Sequence, residues 1–150
     1  MLRIIFTLSF ICILVLTACQ KDSFTTNSSD TISFSTDTLF FDTVFSTIGS
    51  STRKFKIYNK NSESIKISSL KLAGGENSIF RLNVNGVPGV SFKNLEIKSK
   101  DSMWIYADVT VDPSNTNLPY VVKDSLEFKT NGEMQDVNLI AFGQNAIFHK

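Results

Sequence analysis

The side chains able to carry reaction chemistry are few and far apart. Nucleophilic catalysis with an imidazole base needs a histidine beside its nucleophile. The single histidine, His149, stands second from the C-terminus, beyond the last apolar run. A zinc centre needs several Cys or His ligands, and two cysteines, Cys12 and Cys19, complete that inventory. Carboxylates are plentiful: Asp37, Asp42, Asp101, Asp108, Asp112, Asp124 and Asp136. A glycosidase would need two of them facing across a cleft, yet most flank turn sequences, where Asp caps the chain. The oxygen-rich "DPSNTN" at 112–117 lacks EF-hand spacing, and "AGGENS" and "NGVPG" lack the spacing of a phosphate cradle. The expectation is a chain with no catalytic residues, no cofactor and no metal, hence not an enzyme.

Charge narrows the partners. The chain carries 15 basic and 14 acidic residues. Arg3 is the one charge before Cys19, so the remainder is formally neutral. No basic footprint for nucleic acid is present. The N-terminus reads as an export signal over residues 1–18, with Arg3 as the positive region and "IIFTLSFICILVL" at 4–16 as a 13-residue apolar run. A membrane-spanning helix needs about 20 apolar residues. Cys12 leaves with the signal, which leaves Cys19 alone and unable to form an internal disulfide.

"LTAC" at 16–19 resembles the lipobox of bacterial lipoproteins. The resemblance implies cleavage between Ala18 and Cys19 and lipid attachment, palmitate included, at the Cys19 thiol and new amino group. Two or more acyl chains anchor stably where one does not. Gln20, Lys21 and Asp22 resemble the front of the surface-export signal of Bacteroidetes lipoproteins, although Ser23-Phe24 departs from its acidic continuation. The expected location is an outer-membrane lipoprotein exposed on the cell surface, with a periplasm-facing anchor as the alternative. Membrane lipid is then one partner, through Cys19. Residues 19–31, rich in Ser, Thr and Asn, read as a lipidated N-terminus and flexible tether.

The elements that follow are strands. From residue 32 onward apolar residues recur with period two: Phe55 and Ile57; Phe80, Leu82 and Val84; Leu95 and Ile97; Met103, Ile105, Ala107, Val109 and Val111; Leu126 and Phe128; Val137, Leu139 and Ala141. "SIKISSLKL" changes phase between Ile65/Ile67 and Leu70/Leu72, the mark of a bulge. Turn sequences separate the runs, and Asn131-Gly132 is the sharpest hairpin signal, joining the last two long strands. This spacing predicts an all-β, immunoglobulin-like antiparallel β-sandwich of seven to eight strands over 32–145, almost no helix after the signal, and a tail or linker start at 146–150.

"FDTVFSTIGSSTRKFKIYN" at 41–59 resembles the opening of ASH-type (Hydin-like) immunoglobulin-like domains: Phe41-x-x-Val44, then Gly49, then Phe55-x-Ile57-x-Asn59. "LEIKSKDSMWIYADVTVDP" at 95–113 and "DSLEFKTNGEMQDVNLIAFG" at 124–143 resemble its later strands. The resemblance also extends to the N-terminal domain of a group of Bacteroidetes lipoproteins of unassigned function, some with a further region. It implies the fold and carries no chemistry.

Two outward features remain. With Met103, Ile105, Ala107 and Val109 inward, Trp104 and Tyr106 face out, as a stacking platform, an interface contact, or cover for a sheet edge. Ile140 and Phe142 likewise face away from Val137, Leu139 and Ala141, a second apolar face that suits contact with another domain or chain. The recurring Asp-Ser/Thr-apolar tripeptide resembles an O-glycosylation sequon of exported Bacteroidetes proteins, with Thr31 as the acceptor in the tether. The expected function is a lipid-anchored, non-enzymatic module mediating protein contacts or positioning a further domain at the envelope. The alternative is a surface glycan-binding module using Trp104 and Tyr106. Oligomeric state is open.

Overall fold

Strict alternation becomes strand wherever one face can be buried, and nearly every run read above does so. The computed structural model describes residues 23–45, 52–109 and 120–144. Residues 1–18, read above as a signal peptide, Cys19, Gln20, Lys21, Asp22, Asp112, "DPSNTN", His149 and residues 146–150 lie outside the described residues. Ten strands are described: β1 (Ser33–Phe34), β2 (Thr38–Phe45), β3 (Arg53–Tyr58), β4 (Ile65–Leu72), β5 (Phe80–Val84), β6 (Val87–Gly89), β7 (Ser91–Ile97), β8 (Ser102–Val109), β9 (Tyr120–Thr130) and β10 (Glu133–Gln144). The one helical element among the described residues is a 3-10 turn at Gly75–Asn77.

The strands form two five-stranded sheets, ordered β1-β3-β8-β5-β6 and β2-β10-β9-β4-β7. The fold is the expected immunoglobulin-like β-sandwich, with more strands than the seven or eight expected. Two of the extra pieces, β1 and β6, are two and three residues long, too short to show a period. β6 lies inside "NGVPG"; Asn85 and Gly86 both take positive φ, 53° and 82°, and close a tight β5–β6 hairpin. Asn131 and Gly132, at 50° and 90°, close the predicted β9–β10 hairpin in the same way. Among the ten strands pairing is antiparallel except that β2 lies parallel to β10.

The predicted inward residues build the core. Phe55, Ile57, Phe80, Leu82, Ile105, Ala107, Leu126, Phe128, Val137 and Leu139 are each at most 1% exposed, while Leu95 and Met103 pack against them half-buried. Phe128 of β9 links the sheets, its ring centroid 5.0 Å from Phe34 of β1 and 6.4 Å from Phe55 of β3. Phe41 of β2 meets Phe80 of β5 at 5.3 Å. The phase change in β4 is a real bulge. Its register against β9 shifts between Ile67 and Ser69, and β7 follows in step through Asn94 at φ 54°. Ile67 thus stays opposite Leu95 and Leu70 opposite Phe92, all turned to the core.

Asn59, the polar end of the Phe-x-Ile-x-Asn signature, is 1% exposed and clamps one end of the sandwich. Its Nδ2 donates to the carbonyls of Glu63 (2.8 Å), Ile97 (3.1 Å) and Lys98 (3.0 Å), and its Oδ1 accepts from the Asn61 N–H. The β3–β4 connection and the end of β7 with its following turn converge on one side chain.

The flexible tether is corrected for residues 23–31. Ser23–Thr31 lie against the domain rather than free of it. Phe24 bridges Ser64 in parallel; the Thr25 N–H donates to the Ser64 carbonyl and the Ser64 N–H to the Ser23 carbonyl. Thr25 is 4% exposed, its hydroxyl 2.5 Å from an Asp30 carboxylate oxygen. Asn131 Nδ2 donates to the carbonyls of Asn27 and Asp30, and the Gln135 amide exchanges two hydrogen bonds with the Ile32 backbone. The Ser/Thr/Asn composition that suggests a linker instead supplies the hydrogen-bonding groups that hold a strap. Thr31, the suggested glycan acceptor, is half-buried in this strap, with its carbonyl accepting from Asn61 Nδ2.

Candidate functional site

Period two decides what each sheet shows to the outside. On β8 the inward set Ile105, Ala107 and Val109 is fully buried, which turns Trp104 and Tyr106 outward, 41% and 37% exposed. β8 is the central strand of its sheet, so neither aromatic covers a sheet edge. Register brings them partners that local sequence does not show. Trp104 lies opposite Lys56 of β3, and Tyr106 lies opposite Lys54 on one side and Asn83 of β5 on the other. The Lys54 and Lys56 ammonium groups each sit 4.8 Å from the centroid of the Trp104 ring. Neither lysine forms an ion pair among the described residues.

Beside the two aromatics runs a shallow groove of about 440 Å³. The β5–β6 turn contributes Asn85 and Gly86, and the end of β7 with the following turn contributes Glu96, Lys98 and Asp101. The groove is mixed in charge and rich in hydrogen-bonding groups.

The opposite outer face is of another kind. Ile140 and Phe142 of β10 point out as read, and each faces a second apolar residue across the ladder. Ile140 pairs with Phe40 of β2, and Phe142 pairs with Val121 of β9. Phe40 is 58% exposed, Val121 52% and Phe142 45%, while Ile140 is half-buried among them. The strip therefore crosses three neighbouring strands. Phe40 was hidden in the unbroken run "LFF", and Val121 precedes the runs that alternate.

Three of the candidate carboxylates, Asp124, Asp101 and Asp42, are held by local partners, while Oδ1 of Asp108 on β8 is buried without a hydrogen-bond partner. Asp124 pins the β4–β5 connection to β9, accepting from the Gly74 N–H (3.1 Å), the Ser78 hydroxyl (2.5 Å) and the Ser125 N–H (2.8 Å). Asp101 accepts from the Ser102 N–H at 2.7 Å, and Asp42 forms an ion pair with Arg53. Asp37 and Asp136 are exposed on separate elements. Among the described residues no three His, Cys, Asp or Glu side chains group as a metal site, and no helix is long and apolar enough to cross a membrane.

No family model and no curated protein matches the chain. Solved structures do. A Porphyromonas gingivalis W83 protein of unknown function aligns with a TM-score of 0.56 at 11% identity, over 84% of this chain and 50% of that one. A family 123 glycoside hydrolase from Clostridium perfringens aligns with a TM-score of 0.51 at 12% identity, over 74% of this chain and 23% of that one. The E. coli chaperone DraB aligns with a TM-score of 0.49 at 8% identity, over 74% and 54%. The chain thus spans half of the first neighbour and under a quarter of the second, and the likeness is one of fold.

Proposed function

We propose that the chain is a lipid-anchored, non-enzymatic immunoglobulin-like module that makes protein contacts at the cell envelope through the outer face of β2, β10 and β9. The observation that supports it is the apolar strip of Phe40, Val121, Ile140 and Phe142. Four such side chains abreast on three strands lose free energy by staying in water, roughly 25 cal/mol for each Å² of apolar surface that a partner could cover. The ASH-type resemblance and the lipobox belong to the same reading. Cys19 holds the acyl chains, Gln20, Lys21 and Asp22 direct export to the surface, and the sandwich presents its face.

With Ser23 docked, the slack after Cys19 is four peptide steps, about 14 Å when extended. The strip lies about ten residues, roughly 30 Å, along β9 and β10 from the hairpin beside which that segment docks, so it is presented at the end of the sandwich away from the mooring. Labelled palmitate should enter the wild-type protein and not Cys19→Ala. A photo-crosslinker at position 142 should give a discrete adduct in intact cells that Phe40→Asp abolishes. A protein anchored at the envelope that yields no adduct at 142 ends the contact reading. Complete protection of intact-cell protein from external protease ends surface display.

A second reading, a surface glycan-binding module, is favoured by the groove beside Trp104 and Tyr106. A glycan array with Trp104→Ala as control tests it, and silence on the array removes it.

A further inference from the structure

The geometry points to an acidic saccharide as the ligand of the Trp104 face, its anionic group on Lys54 and Lys56 and its neutral sugar units in the groove beyond. The assignment rests on the glycan-binding reading above and narrows it to one ligand class. Sugar recognition by an aromatic ring uses the ring's open face. Here two ammonium groups already lie 4.8 Å from the indole centroid. A neutral pyranose stacking on the ring would have to displace them and lose both cation–π contacts. An anion does the opposite. It leaves the ammonium groups where they are and supplies the acceptors that the described residues do not provide, since neither lysine has a carboxylate partner. Charge-assisted hydrogen bonds of this kind are the stronger class.

The surroundings separate a saccharide from a lipid surface. The groove next to the lysines carries Glu96 and Asp101 as well as Lys98, with Asn85 and Ser102 between. A uniformly anionic headgroup layer meets two carboxylates there. A sugar chain with one acidic unit places hydroxyl groups there instead, which donate to carboxylates and accept from amides. The rigid β3–β8 ladder fixes the spacing of lysines, indole and groove, so little ordering of the protein accompanies binding.

The test uses the intact chain in detergent on an array of uronate-, sialate- and sulfate-bearing oligosaccharides, each with its neutral counterpart. Binding should be confined to acidic members and should fall about tenfold or more in Lys54→Gln/Lys56→Gln, as expected for losing two exposed charge contacts of up to about 1 kcal/mol each. Lys54→Arg/Lys56→Arg should restore it, and Met134→Asp, at an exposed position of β10 outside both faces' sites, should leave it unchanged. Circular dichroism of each variant checks the fold. Neutral members bound equally well, with dependence on Trp104, overturn the acidic assignment and leave the glycan reading standing. An array with no member bound overturns both. Displacement by dihexanoyl-phosphatidylglycerol as effective as by the acidic oligosaccharide moves the site to lipid headgroups and overturns the assignment.

Discussion

The two outer faces of this sandwich obey one rule and end up as different surfaces. Both arise because the buried set on a strand forces its neighbours outward. On β8 the outward aromatics meet lysines across the ladder, so Trp104 is exposed yet engaged by two cations. On β10 the outward residues meet Phe40 and Val121, so apolar side chains face water with apolar neighbours. Exposure alone does not tell the two apart; the cross-strand partner does. The first face offers charge and hydrogen bonds to a polar ligand, and the second gains by being covered.

The largest expected effect lies beneath both faces. Phe128→Ala removes the ring that joins β9 to β1 and β3 and should cost about 3–5 kcal/mol in urea unfolding, with loss of both surfaces together. Loss of one surface with the other intact would mean the sheets hold their faces independently. Asn59→Ala strips three carbonyls of their donor and should cost about 2–4 kcal/mol, with the loops at that end opening first to hydrogen exchange. Trp104→Ala should cost about 1–2 kcal/mol, read as a lowered thermal midpoint, because two cation–π contacts are lost. Phe142→Ser should change stability by no more than about 0.5 kcal/mol while raising solubility, since that ring is half in water and its removal exposes little. Equal costs for Trp104 and Phe142 would erase the distinction between an engaged face and an unsatisfied one.

Much of the fold was legible because alternation is a local signal. Phe55/Ile57, Phe80/Leu82/Val84 and Ile105/Ala107/Val109 are read two residues at a time, and each set is buried. The β4 bulge was legible for the same reason, as a slip in that count. What the sequence hid is what register creates. Lys54 and Trp104 become neighbours through the β3–β8 pairing, and Phe40 and Ile140 through the parallel β2–β10 pairing, neither of which is written in local composition. The N-terminal segment misled for a related reason. Asn27 and Asp30 look like linker residues until Asn131, about a hundred positions away, donates to their carbonyls. Cys19, read as a lipid-attachment residue, and Gln20, Lys21 and Asp22, read as an export signal, lie outside the described residues.

The docked strap also sets a load path. Ser23 and Thr25 grip Ser64 from either side in a parallel bridge, immediately before β4. β4 sits inside its sheet between β9 and β7. The two hydrogen bonds of that bridge therefore pass part of a tension applied before Ser23 into β4 and its two ladders, ahead of β1 and β2, the edge strands that follow the strap in the chain. A module moored at its N-terminus and tugged by a partner on the β10 face would carry that tension through its best-paired sheet, with the sandwich itself as the coupling between mooring and cargo.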